Sequence, residues 1–213
     1  MNVRLFVFPD NLLSIIANAA RKTIKSTATD KSSDAALVSY LVDSNETSPL
    51  EHANLSFEIS GISRVCIQQL TRHRIASYSQ ESMRYVKPED IVLPPNVPSD
   101  ALASYMLKEH YASCVSMYET LINLGVDMDS ARYALPMGTS GSIIVTMNCR
   151  SLLNFFSQRL CGRASKEIRV LAQKMHAIAS SILPEVFDRK LLDCEVYGRC
   201  RKRKSCKKTQ QTQ

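Results

Sequence analysis

The chain has 213 residues, 45% of them hydrophobic and 22% charged, a length that suits one compact domain with a core of its own. No apolar run approaches the roughly 20 residues of a membrane span. The apolar stretch near the N-terminus is too short for a secretory signal and no small-residue cleavage site follows it, so the expected compartment is the cytoplasm.

The net charge of +7 is concentrated at one end: Arg199, Arg201, Lys202, Arg203, Lys204, Lys207 and Lys208 have no acidic residue among them, and the rest of the chain sums to about zero. A like-charged run with no apolar area to bury reads as a solvated, flexible tail, with contacts to phosphates as the alternative use. The chain therefore divides into a domain over residues 1–190 and a basic, cysteine-containing tail over 191–213.

In chain order, Val3, Leu5 and Val7 alternate with Arg4 and Phe6 and predict a first strand. Pro9 ends it, and Asp10 can cap a helix running to about Lys25, with Leu12, Leu13, Ile15, Ile16, Ala19 and Ala20 on its inner side. Thr27 to Ser33 is polar and reads as a loop, followed by a short helix from about Asp34 to Asp43. Leu55, Phe57 and Ile59 alternate with Ser56, Glu58 and Ser60, the clearest strand pattern in the chain, which Gly61 is expected to break. Ile62, Val65, Cys66 and Leu70 then repeat at helical spacing. The four prolines between Pro88 and Pro98 require a surface loop. Ala101 to Leu124 predicts a long amphipathic helix stopped by Gly125. Asp129 is the expected cap of a brief helix ended by Pro136. Ser142 to Met147 is a β-branched strand, and helices at about Arg150–Leu160 and Ser165–Leu183, the last closed by Pro184, complete the pattern. Strands and helices mix without a strict βαβ rhythm, which predicts an α+β domain with a central mixed or antiparallel sheet flanked by helices.

Seven cysteines stand at 66, 114, 149, 161, 194, 200 and 206. Their odd number and the missing secretory signal argue against a disulfide framework. Cys194, Cys200 and Cys206 are evenly spaced, but no CxxC pair and no fourth ligand accompanies them, so no metal site is expected.

The chemistry concentrates in Thr71–Tyr85, TRHRIASYSQESMRY. Arginines at this density repel one another unless an anion joins them, and the planar guanidinium fork matches phosphate. With Ser77, Ser79 and Ser82 nearby, the stretch reads as a cradle for a phosphate and a heterocycle, although it lacks the glycines of a P-loop or dinucleotide fingerprint. A solvated basic helix end, or a nucleic-acid contact made together with the tail, would also account for the arginines alone.

Arg72-His73-Arg74, seven residues and then Ser82 resembles the signature of the flavin-dependent thymidylate synthase family. The likeness extends to Ser48-Pro49-Leu50-Glu51-His52, to Ala131-Arg132-Tyr133-Ala134-Leu135-Pro136, to Asn148-Cys149-Arg150-Ser151-Leu152-Leu153-Asn154-Phe155-Phe156, and to Arg159, Arg163 and Glu167-Ile168, in that order. The chain departs from the pattern at Asn45-Glu46, where many relatives carry Gly-His, and at Arg163, where some carry histidine.

The resemblance implies reductive methylation of dUMP to dTMP. FAD would be the hydride carrier, methylenetetrahydrofolate the one-carbon donor and NADPH the reductant. It implies a homotetramer with shared active sites, and residues 1–190 as the synthase domain. By resemblance, FAD would be bound by Ser48, Arg72, His73, Arg74, Ile75, Gln80, Asn148, Cys149, Arg150 and Asn154. The substrate dUMP would be bound by Gln69, Arg72, Gln80, Glu81, Ser82, Met83, Arg84, Arg132 and Arg159. Arg159 would be the catalytic residue, a permanent cation beside the uracil ring that stabilises charge developing there. Ser82 as a nucleophile would need an adjacent base; binding phosphate or sugar is the expected role of its hydroxyl.

Overall fold

The structure is a computed structural model that describes residues 1–24, 31–87 and 90–200. The expected Thr27–Ser33 loop falls largely outside the described residues, as do the end of the first predicted helix at Lys25, Pro88 and the basic run from Arg201 onward with Cys206.

Among the described residues four strands form one sheet: β1 (Asn2–Val7), β2 (Asn54–Ser63), β3 (Ser77–Gln80) and β4 (Ser140–Asn148), in the order β1-β2-β4-β3. Every pairing is antiparallel, so the expectation of a mixed or antiparallel sheet narrows to the second. Alternation sets the faces: Leu55, Phe57 and Ile59 of β2 and Ile143, Val145 and Met147 of β4 are all buried on one side. The register stacks them, with Leu55 opposite Met147, Phe57 opposite Val145 and Ile59 opposite Ile143. On the other face Ser56 and Thr146 share a hydroxyl–hydroxyl bond of 2.7 Å, and Arg4 pairs with Glu58.

Helices cover the apolar face. Leu12, Ile16, Ala17 and Ala20 of α1 (Leu12–Ile24) join one core with Leu152, Phe155 and Phe156 of α6 (Cys149–Arg159) and Ile168, Leu171 and Met175 of α7 (Lys166–Ile182). α1 is tied to α2 (Lys31–Asp43) by a buried ion pair between Arg21 and Asp34. Ser14 donates to the same carboxylate at 2.9 Å, and Arg21 donates to the Ser33 hydroxyl at 3.0 Å. The remaining helices are α3 (Arg64–Leu70), α4 (Leu102–Asn123), α5 (Met128–Ala131), α8 (Pro184–Phe187) and α9 (Asp193–Val196), with 3-10 turns at Ser48–His52 and Arg132–Ala134. α4 has only Ser104 and Tyr118 buried and leaves Leu102, Tyr105, Met106 and Met117 exposed. No helix among the described residues is long and apolar enough to cross a membrane.

Four local expectations are corrected or extended. Gly61 does not break β2: at φ +66° it makes an irregularity in the ladder between Ile59 and Ile62, and the strand continues to Ser63. A side chain there would meet the Met1 backbone at 3.0 Å, so the sheet needs a residue without Cβ. The cap of α5 is Asp127, whose carboxylate accepts from the Ser130 N–H at 3.0 Å and hydroxyl at 2.9 Å, and not Asp129. Pro184 opens α8 one residue beyond Leu183 as well as following the end of α7. The strand β3 falls inside a stretch read from sequence as loop.

Candidate active site

Two element ends meet at the site. α3 starts where Ser63 accepts from the Cys66 N–H at 3.0 Å. The same serine donates to Glu167 of α7 through its N–H at 2.8 Å and its hydroxyl at 2.6 Å, which pins the start of α3. Its other end runs into Arg72, His73, Arg74 and Ile75. α6 starts directly after β4: Asn148 caps it by accepting from the Ser151 N–H at 2.8 Å. Arg150, Asn154 and Gln158 recur every four residues and share one helix face, with Gln158 donating to the Asn154 amide oxygen at 2.9 Å.

Between these ends lies a cleft of about 710 Å³, walled on one side by Arg72, His73, Arg74 and Ile75 and on the other by Asn148, Arg150, Ser151, Asn154, Gln158 and Arg159. Glu51 completes it from the Ser48–His52 turn and pairs with Arg150. Four guanidinium groups face one carboxylate, so the cleft is cationic and suits an anionic guest. Ile75, 74% exposed, adds an apolar surface against which a ring can lie.

Arg159 is held from two sides. Its Nε donates to His73 Nε2 at 2.9 Å and one terminal nitrogen donates to the Gln69 carbonyl at 3.0 Å. That carbonyl belongs to the last turn of α3, where carbonyls have no helical partner and attract a cation. Burial, opposed by Cys66 and reinforced by Arg72, makes Arg159 somewhat easier to deprotonate than a free guanidinium; it nevertheless stays charged. Burial and then the Arg159 charge push His73 down to about 4. At neutral pH its ring is therefore uncharged, with Nε2 as acceptor, and Phe155 backs it edge-on at 4.9 Å between centroids.

Of the residues expected to bind FAD, the cleft gathers Arg72, His73, Arg74, Ile75, Asn148, Arg150 and Asn154. Ser48 is exposed at the start of the turn that carries Glu51. Gln80 ends β3, outside the cleft lining. Cys149 is fully buried, and burial lifts its thiol to about 12; its place is in the core, not against a ligand.

Of the dUMP set, Arg72 and Arg159 line the cleft, while Gln69 lies just behind, its side-chain oxygen accepting from Ser165 at 2.7 Å. Glu81, Ser82, Met83 and Arg84 form the turn after β3, and Arg84 and Arg132 converge on one Asp129 oxygen at 3.3 and 2.6 Å. This second basic cluster does not line the cleft. The Ser82 hydroxyl accepts weakly from the Arg84 N–H at 3.3 Å, and His73 Nε2 is taken by Arg159, so no base activates Ser82 among the described residues.

Glu51, Ser151 and Gln158 were not singled out from sequence. The four-residue recurrence from Arg150 through Asn154 would have pointed to Gln158; nothing local marks Glu51, which meets Arg150 across 99 positions.

An antiparallel sheet thus feeds two helices into a cleft crowded with arginine, a lining whose charge suits an anionic guest. The family model described as thymidylate synthase complementing protein matches residues 5–185, and the chain belongs to that family. A protein of Nitratidesulfovibrio vulgaris named flavin-dependent thymidylate synthase is 36% identical over 182 residues, covering 80% of this chain and 74% of its own length. Proteins of the same name from Saccharolobus solfataricus and Geobacter sulfurreducens are 45% and 43% identical, over 66% of this chain in both cases and 55% and 62% of their own lengths. The chain thus spans between about half and three quarters of the length of the curated relatives it matches.

Proposed function

We propose that this chain is a flavin-dependent thymidylate synthase, which converts dUMP to dTMP with FAD as cofactor, methylenetetrahydrofolate as one-carbon donor and NADPH as reductant, in the cytoplasm. The observation that carries the reading is the fixed Arg159, anchored by His73 and the Gln69 carbonyl at the wall of a cleft whose other residues suit a flavin nucleotide.

The donor set fits FAD. Arg72, Arg74 and Arg150 offer guanidinium forks for a diphosphate, Asn148 and Asn154 offer amides for the polar ring edge, and Ile75 offers an apolar face. When bound, the flavin supplies hydride chemistry that no side chain can. The chain's own share is electrostatic and positional. Arg159 presents a permanent positive charge where the uracil ring gains electron density, and its two anchors remove the need to reorganise during reaction. Neutral His73 accepts from Arg159 and adds no second charge to repel it. Arg84 and Arg132, already converging on one carboxylate, suit the dUMP phosphate, with Gln80, Glu81, Ser82 and Met83 around the sugar and Gln69 beside Arg72.

Shared sites in a homotetramer are consistent with two features: the Gln80–Arg84 turn lies outside the cleft of its own protomer, and α4 exposes Leu102, Tyr105, Met106 and Met117. The deciding experiment measures dTMP formation with dUMP, methylenetetrahydrofolate, NADPH and FAD, leaving out one component at a time, alongside mass by light scattering. A yellow protein of about four chains is expected, whose turnover requires dUMP, methylenetetrahydrofolate and NADPH, and added FAD once the bound flavin has been stripped. A colourless protein that cannot be loaded with FAD would overturn the proposal.

A further inference from the structure

Tyr78 has no place in the reading above. It is the inward side chain of the edge strand β3, opposite Val145, and it packs against the core. An apolar ring would suit that position. Tyrosine instead carries a hydroxyl there, directed at the end of α3: it lies 2.9 Å from the Leu70 carbonyl and 2.7 Å from the His73 carbonyl, sharing one proton between two acceptors. Burial pushes the phenol up to about 12, so it stays a donor throughout the working pH range.

The segment this hydroxyl ties is the one that holds Arg159. Gln69 gives its carbonyl and His73 gives its Nε2 to the guanidinium; Leu70 and His73 give their carbonyls to Tyr78. The segment from 69 to 73 is therefore held by two side chains from elsewhere in the chain, Arg159 and Tyr78. A buried hydroxyl that merely satisfied helix-end carbonyls would serve the fold alone. Here the tethered carbonyl and the ring that meets Arg159 belong to the same residue, so freedom at one becomes displacement at the other.

We propose that Tyr78 is a positioning residue, whose hydroxyl locks the 69–73 turn so that His73 and the Gln69 carbonyl aim Arg159 into the cleft. The inference deepens the proposed function, on which it rests only for the use to which Arg159 is put.

Tyr78→Phe preserves the packed ring and removes the hydroxyl. Two measurements on the full chain test it, with melting temperature and FAD loading recorded for each variant. The first is independent of activity: NMR titration of the His73 ring without substrate. The groups facing that ring are Arg159 and Phe155, with Arg72 next to Arg159. Loosening the turn should move the titration upward by about one unit, toward the ordinary imidazole value, as the ring gains solvent and distance from Arg159. The second is turnover: kcat for dTMP formation should fall about five- to tenfold, with the KM for dUMP changing much less. In the double variant with His73→Gln, the loss should be smaller than the product of the two single losses, because Tyr78 and His73 hold the same guanidinium. An unchanged His73 titration in Tyr78→Phe, or independent additive losses in the double variant, would overturn the proposal. A wild-type chain that forms no dTMP would refute the proposed function, while the titration would still decide whether Tyr78 holds the turn.

Discussion

Replacing Arg159 by lysine and by glutamine separates orientation from charge at the proposed catalytic centre. Arginine reaches its two anchors with two different nitrogens, Nε to His73 at 2.9 Å and a terminal nitrogen to the Gln69 carbonyl at 3.0 Å, which leaves the other edge of the plane for the cleft. A lysine ammonium is a single point on a flexible stem and cannot engage both anchors and still face the substrate. Glutamine abolishes the charge altogether. A preorganised electrostatic donor is typically worth about 10²–10³ in kcat, or roughly 3–4 kcal/mol. Lysine keeps the charge and loses the aim, so kcat should fall by about 10–100-fold; glutamine should cost the full amount of about 10²–10³. Both variants should still take up flavin, because Arg72, Arg74 and Arg150 remain. The assay is single-turnover dTMP formation in FAD-loaded protein, with flavin content measured by absorbance. A lysine variant within threefold of wild type would show that the two anchors are irrelevant to turnover. Equal and large losses in both variants would place the whole effect in orientation, and refute the electrostatic part.

Further outcomes follow from other groups. His73 is held near 4 in the fold against an ordinary 6.5, so the folded protein binds this proton later than the unfolded chain as pH falls. Its contribution to stability is thus present above about 6.5 and is lost as the pH drops through 4. The full displacement corresponds to about 3 kcal/mol, but the ring is half exposed and solvent screening lowers this to about 1 kcal/mol. Wild type should lose that much more stability than His73→Gln between pH 7 and pH 4, measured by denaturant titration; parallel curves would refute it. Asp34→Ala strands Arg21 as a buried, unpaired cation and should cost about 3–5 kcal/mol in the same measurement, whereas the double change Arg21→Met with Asp34→Leu should recover most of it. Cys66 and Cys149 are buried, and burial, joined at Cys66 by the Glu167 charge, lifts both thiols to about 12. In the native protein they should resist a thiol reagent that modifies half-exposed Cys114 within minutes.

Much of this architecture was readable because it follows burial. β2 declares itself by strict alternation, since one face meets the core and the other does not, and β4 by its β-branched run. α4 is bounded as expected, with Gly125 at φ +85° just beyond it. What escaped was decided by long-range partners. Ser77–Gln80 is too short and polar to show a period, and becomes a strand only because β4 offers an open edge. Gly61 reads as a breaker until the Met1 backbone is seen lying against it. Asp127 and Asp129 are equally good caps by composition; Arg84 and Arg132 engage the second and leave the first to the helix. In the site, the arginines stood out by density, but the neutrality of His73 depends on its burial and then on Arg159, which is 86 positions away.

The carboxylate of Asp129 already occupies the space between Arg84 and Arg132. Any incoming anion that claims those two cations must evict a resident one, so its binding strength reflects a contest between rivals and not the attraction of bare charges. The resident also keeps the two guanidinium groups near each other while the seat is unclaimed. A newcomer therefore finds them gathered, and what it must supply is a geometry better than one carboxylate can offer.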